Sequence, residues 1–121
     1  MNTSRATAVV LDSLLGLVKG CVWVLIAPKN NTARNYIILT PVTGNRLTDL
    51  DGYTGHNQQL LQVDVWANDY DTCAKQGEAV IRLLDQRPEI SVEVQTDRDD
   101  HDPVTNLFRK SIDFLIWEQT S

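Results

Sequence analysis

The densest group of chemistry-capable residues is "TDRDDHDP", residues 96–103, where Asp97, Asp99, Asp100 and Asp102 surround His101. Several converging carboxylates can hold a hard divalent cation. A small metal-dependent hydrolase using residues 97–102 is therefore the enzymatic reading. Neighbouring side chains in a tight turn point apart, however, and no distant carboxylate is marked as their partner. The residue types fit a solvated hairpin tip, because turns favour Asp for local backbone reasons.

A second acidic stretch, "LTDLDGYTGHNQ", places Asp49, Asp51 and Gly52 much as a calcium loop would. Aligned on Gly52, its first and twelfth ligand positions are Leu47 and Gln58, where a working loop needs acids. That excludes it. Cys73 as a nucleophile would need a base. The two histidines, His56 and His101, fall in predicted loops, whereas Cys73 lies on the apolar stripe of a predicted helix and reads as a buried thiol. There is no GxSxG, P-loop, GxGxxG or metal-ligand spacing. The residues carry no enzyme signature, and no cofactor or metal is expected.

The elements that place these residues follow from composition and periodicity. With 121 residues, 42% of them hydrophobic, the chain is expected to form a single domain with a modest core. Its net charge of −5 argues against tight nonspecific nucleic-acid binding, which needs a basic face. Two distant cysteines without a CxxC fit a reducing compartment. The apolar tract at residues 8–28 contains Asp12, Lys19, Gly16 and Gly20. It reads as a short helix and a strand, not as a membrane span or targeting segment.

Apolar residues at Ala6, Val10, Leu11, Leu14, Leu17 and Val18 predict a helix from Ser4 to Lys19, capped by Thr3 or Ser4 and stopped at Gly20. "CVWVLI" is a strand, and "YIILTPVTGNRL" is another, with Pro41 at an edge position or bulge. Residues 44–57 form a long predicted loop, in which Arg46, Asp49, Asp51 and Tyr53 are candidates for docking a partner. "QQLLQVDVWA" returns as a strand, and Asp69 or Asp71 caps a helix that ends before Pro88. "ISVEVQT" and "VTNLFRKSIDFLIWE" make a hairpin around the acidic turn. The resulting order is α-β-β-β-α-β-β: an α+β fold with a mostly antiparallel sheet and two helices on one face.

Strand alternation puts Asp64 and Trp66 on the face away from the helices, echoed by Asp113 and Trp117. Two tryptophans among acids on one face suggest a contact surface. The competing reading is a second core layer, with the rings lying flat on the sheet.

"LQVDVWANDYDTCAKQGEAVIRLLD", then an acidic stretch, then "DPVTNLFRKSIDFLIW" resembles the small tail-completion proteins of long-tailed bacteriophages, also called tail-terminator or tail-to-head joining proteins. The N-terminal helix and "YIIL" before "LDG" share the likeness, which is one of order and spacing. The resemblance implies a structural virion protein at the head-proximal end of the tail, assembled in the host cytoplasm, with no reaction and no cofactor. It implies a homo-oligomeric ring, typically a hexamer, touching the tail tube protein and the head connector while DNA passes without specific binding. In such a ring, Asp97, Asp99, Asp100 and Asp102 are candidates for an acidic lumen, whose charge would repel phosphate. The nearest alternative is a head-side neck protein.

Overall fold

Two helices lie against one face of a five-stranded sheet in the computed structural model, which describes residues 5–42 and 58–118. In chain order the elements are α1 (Arg5–Leu14), β1 (Val22–Val24), β2 (Tyr36–Pro41), β3 (Gln58–Ala67), α2 (Tyr70–Asp85), β4 (Ile90–Asp102) and β5 (Leu107–Glu118). The spatial order is β1-β2-β3-β5-β4. β1 and β2 are parallel, and the other pairs are antiparallel. This is the predicted α+β arrangement. The caps expected at Thr3 or Ser4, and the docking candidates Arg46, Asp49, Asp51 and Tyr53, lie outside the described residues.

The core follows the alternation. Leu61, Val63, Val65 and Ala67 of β3 and Ile112, Phe114 and Ile116 of β5 are essentially inaccessible beneath Val10, Leu14, Val80 and Leu84 of the helices. Asp69 caps α2: its carboxylate accepts the Thr72 N–H at 2.7 Å and the Thr72 hydroxyl at 3.1 Å. α1 is shorter than its apolar spacing predicts. Gly16 and Gly20 each weaken a helix by about 1 kcal/mol relative to alanine. Residues 15–20 instead wind as turns, closed by the Gly20 N–H on the Leu15 carbonyl at 2.7 Å, with Gly20 at φ +85°.

β1 is also shorter than predicted. Leu25 takes φ +74°, and the Ile26 N–H bonds the Val24 carbonyl at 2.9 Å, a strained γ-turn that bends the chain away. This bend accommodates Pro41. The Ile37 N–H points to β1 and the Val42 N–H to β3, so by alternation the nitrogen of Pro41 faces the side β1 has already left. The proline therefore removes no ladder bond.

Cys73 is 2% exposed, and both cysteines are free thiols. The Cys73 Sγ–H donates to the Val65 carbonyl at 3.3 Å. Burial, aided by the charge of Asp99, pushes this thiol up to about 11. The half-buried Cys21 should accordingly be alkylated first by iodoacetamide at mildly alkaline pH, with Cys73 protected until unfolding. Peptide mass mapping that found Cys73 modified first would contradict this packing.

Candidate functional site

The acidic stretch is not a turn. Residues 97–102 continue β4, each paired with β5: Asp97 opposite Ile112, Asp99 opposite Lys110, Asp100 opposite Arg109 and Asp102 opposite Leu107. The hairpin reverses at residues 103–106 instead. There Asn106 takes φ +61° and its N–H bonds the Asp102 carbonyl at 2.7 Å. The Asp102 carboxylate accepts the Val104 N–H at 3.0 Å and the Thr105 hydroxyl at 2.9 Å. Cross-strand cations explain why so many acids tolerate a strand. Asp100 accepts from Arg109 at 2.9 Å, and Asp99 accepts from Lys110 at 3.3 Å.

Alternation then sends these acids to two faces. Asp97 and Asp99 lie on the helix side, both within 4.0 Å of Lys110, while Asp100 and Asp102 lie on the opposite side. They cannot converge on one cation. Among the described residues no group of three or more His, Cys, Asp or Glu is placed to hold a metal ion.

Lys110 shows how the helix side is organised. Its stem crosses α2 at Gly77, where an added Cβ would lie 2.3 Å from the Lys110 Cδ. Its side chain as a whole is only 13% exposed, the stem lying under α2. Burial alone would lower its pKa, but the hydrogen bond and charge of Asp99, with Asp97 behind, raise it on balance.

The opposite face has no helix over it among the described residues, and it carries a row that the sequence showed only in part. The registers align Tyr36, Trp66, Arg109 and Asp100 across four strands. Tyr36 stacks on Trp66 with centroids 5.9 Å apart, and Trp23 of β1 leans on Tyr36 at 5.8 Å. The Arg109 guanidinium sits 5.3 Å from the Trp66 ring centre, a cation–π contact. Burial, then the charge of Asp102, raises the Tyr36 hydroxyl pKa. The result is one half-buried band of rings and guanidinium spanning the sheet.

Of the residues expected on this face, Trp66 and Trp117 do share it, but not as one patch. Trp117 pairs with Gln58 at the far end of β3, roughly 27 Å from Trp66 at the usual strand rise. Asp64 is 6% exposed and takes both its side-chain bonds from the Gln62 amide, at 2.9 and 3.1 Å. Asp113 accepts the Thr96 hydroxyl at 2.7 Å and lies 3.6 Å from Arg98. Both acids are committed within the sheet. Trp23, Tyr36 and Arg109 were legible in the alternation of "CVWV", "YIIL" and "FRKS", but only once the strand order is known.

At the turn end of this surface, Arg34 donates to the Thr105 carbonyl at 2.8 Å. Asn35 donates to the Trp66 carbonyl at 2.9 Å and exchanges amide bonds with Gln76 of α2. The loop before β2 thus buttresses both the hairpin and the row. The carboxylates of Asp69 and Asp102 are held below their ordinary 3.8, chiefly by the Thr72 and Val104 backbone N–H groups respectively. The stability they contribute is complete above the unfolded pKa and is lost as pH falls through the folded values. Asp69→Asn keeps a good cap without its charge. Its melting temperature should therefore fall less steeply than wild type below pH ~4, and an equally steep acid limb would contradict the linkage.

No helix among the described residues is long and apolar enough to cross a membrane. No curated protein matches the chain at significance. A chain in a solved structure, "Virion of native gene transfer agent (GTA) particle", is similar in fold, with a TM-score of 0.68 at 15% identity and 93% of each chain covered. The family described as tail completion protein gp17 matches residues 7–119, and this chain belongs to that family of phage tail structural proteins.

Proposed function

We propose that this protein closes the head-proximal end of the phage tail tube as a homo-oligomeric ring, ending tube growth and forming part of the head–tail joint through which DNA passes. The observation that carries the reading is the family match over residues 7–119. The geometry is compatible with it: among the described residues the sheet presents one face without helices, and Asp99 and Asp100 are held by cross-strand cations. The role is one of assembly and not of turnover. Its partners are further copies of the chain, the tail tube protein and the head connector, and a hexamer is the expected ring.

A lumen lined by acids would draw on Asp100 and Asp102 or on Asp97 and Asp99. The two pairs face opposite sides of β4, so all four do not line one surface of that strand. The fold similarity to a chain of a gene transfer agent virion favours a virion location.

Electron microscopy of particles made with this gene deleted tests the reading. Filled heads beside unattached tails of uncontrolled length are the expected result. Normal tails with a defect confined to the heads would instead move the protein to the neck.

A further inference from the structure

One edge strand of the sheet is rich in acids and the stretch around the other carries only basic charges, and we propose that the β4 edge of one copy of this chain docks beside the β1 edge of the next, joining subunits head to tail. The inference rests on the ring reading and supplies its contact. Among the described residues, β1 and β4 are the outermost strands. β4 bears Glu93, Asp97, Asp99, Asp100 and Asp102 with Arg98 as its one cation; Lys110 and Arg109 of β5 engage Asp97, Asp99 and Asp100, while Glu93 and Asp102 make no ion pair among the described residues. Residues 13–42, which include β1 and β2, contain no acid. Lys19 and Lys29, on either side of β1 in the chain, are exposed and make no ion pair among the described residues.

This polarity selects the mode of association. Two β4 edges brought together would oppose acid to acid, which destabilises a strand pair. The same acids protect a 13-residue edge from indiscriminate pairing. A β4 edge beside a β1 edge opposes acids to lysines, and a contact between two different surfaces of the same chain is the kind that builds rings.

Both edges also offer apolar surface. At the end of β1, Leu25 and Ile26 are 46% and 77% exposed, and on β4 Val94 is 39% exposed beside the register shift. Leu25 holds φ +74°, costly for a non-glycine residue, and the strain serves to turn two apolar side chains outward. A neighbouring Val94 would cover them.

The test uses two charge-swapped chains, Lys19→Glu/Lys29→Glu and Glu93→Lys/Asp97→Lys, studied by sedimentation velocity under reducing conditions. Wild type should self-associate, less so at high salt, and each variant alone should associate about tenfold more weakly or worse. Mixing the two variants should restore association, because each presents the charge the other has lost at the opposing edge. The mixture is also a folding control, since unfolded chains do not rescue one another. A wild type that stays monomeric at high concentration, variants that associate like wild type, or a mixture that fails to recover would each overturn the contact.

The two readings fail separately. Swaps that leave association unchanged, in a protein whose deletion does derange tails, sink the edge contact alone. Association through these edges, in a protein whose deletion leaves tails normal, sinks the tail-end role alone.

Discussion

Phe114→Ala will cost about 3–5 kcal/mol of folding stability, against a total of roughly 5–15 kcal/mol for a small protein. Phe114 is fully buried and heads the inaccessible side chains by volume. It sits on β5 between Leu61 of β3 and Val94 of β4, on the helix side of the sheet. Truncation removes its transfer energy and leaves a cavity that β3 and β5 cannot close, because each of them is held by a ladder on both sides. Urea unfolding should show a large drop in midpoint with little change in slope. Phe108→Ala is the internal comparison: this ring is half-buried at the hairpin end, where it contacts Tyr70 and His101, so its loss should cost clearly less. Equal costs would mean that the hairpin end is as much core as the centre.

How much of this was readable beforehand depended on how far apart the deciding residues lie. The passage from β3 to α2 is local. Alternation through Val63 and Val65, a capping Asp69 and an apolar stripe through Cys73, Gly77, Val80 and Leu84 all sit within one short stretch, and each is observed. The β4–β5 hairpin is not local in this sense. Asp97, Asp99 and Asp100 look like turn residues until Lys110 and Arg109 stand opposite them. Cross-strand pairing overrode the local preference, moved the turn to residues 103–106 and divided the acids between two faces. The signals for the true turn, Pro103 and Asn106, were present but outnumbered.

The row of Trp23, Tyr36, Trp66 and Arg109 was hidden for a related reason. Each residue's phase within its strand can be read from alternation, but their alignment needs the order β1-β2-β3-β5-β4 and a parallel β1–β2 pair. The charge polarity of the edges has the same origin. An acid-free stretch at residues 13–42 and an acid-rich β4 are plain in the sequence, but only the strand order sets them at opposite ends of one sheet. Family resemblance reached the family more directly than residue chemistry did, because the likeness is carried by the order and spacing of elements along the chain and not by a constellation of reactive side chains.

Gly77→Ala will destabilise the protein by about 1–3 kcal/mol even though alanine is the better helix former, and the sign will reverse once Lys110 is shortened. The new methyl would meet the Lys110 side chain at 2.3 Å on Cδ and 3.0 Å on Cε. Lys110 is flexible, but its freedom is limited: its side chain is 13% exposed and its ammonium engages Asp99 at 3.3 Å. Moving the stem away from α2 pulls the ammonium from its carboxylates, and a charged hydrogen bond is costly to lose. In a Lys110→Ala background the obstruction is gone, and Gly77→Ala should then add up to about 1 kcal/mol through helix propensity. A double-mutant cycle by urea unfolding measures the difference as a coupling energy. Gly77→Ala that stabilises both backgrounds equally would show that Lys110 moves freely and that the glycine has no packing role. A reversal would show that α2 keeps a glycine at this position so that a lysine can cross beneath it to reach the acids of β4.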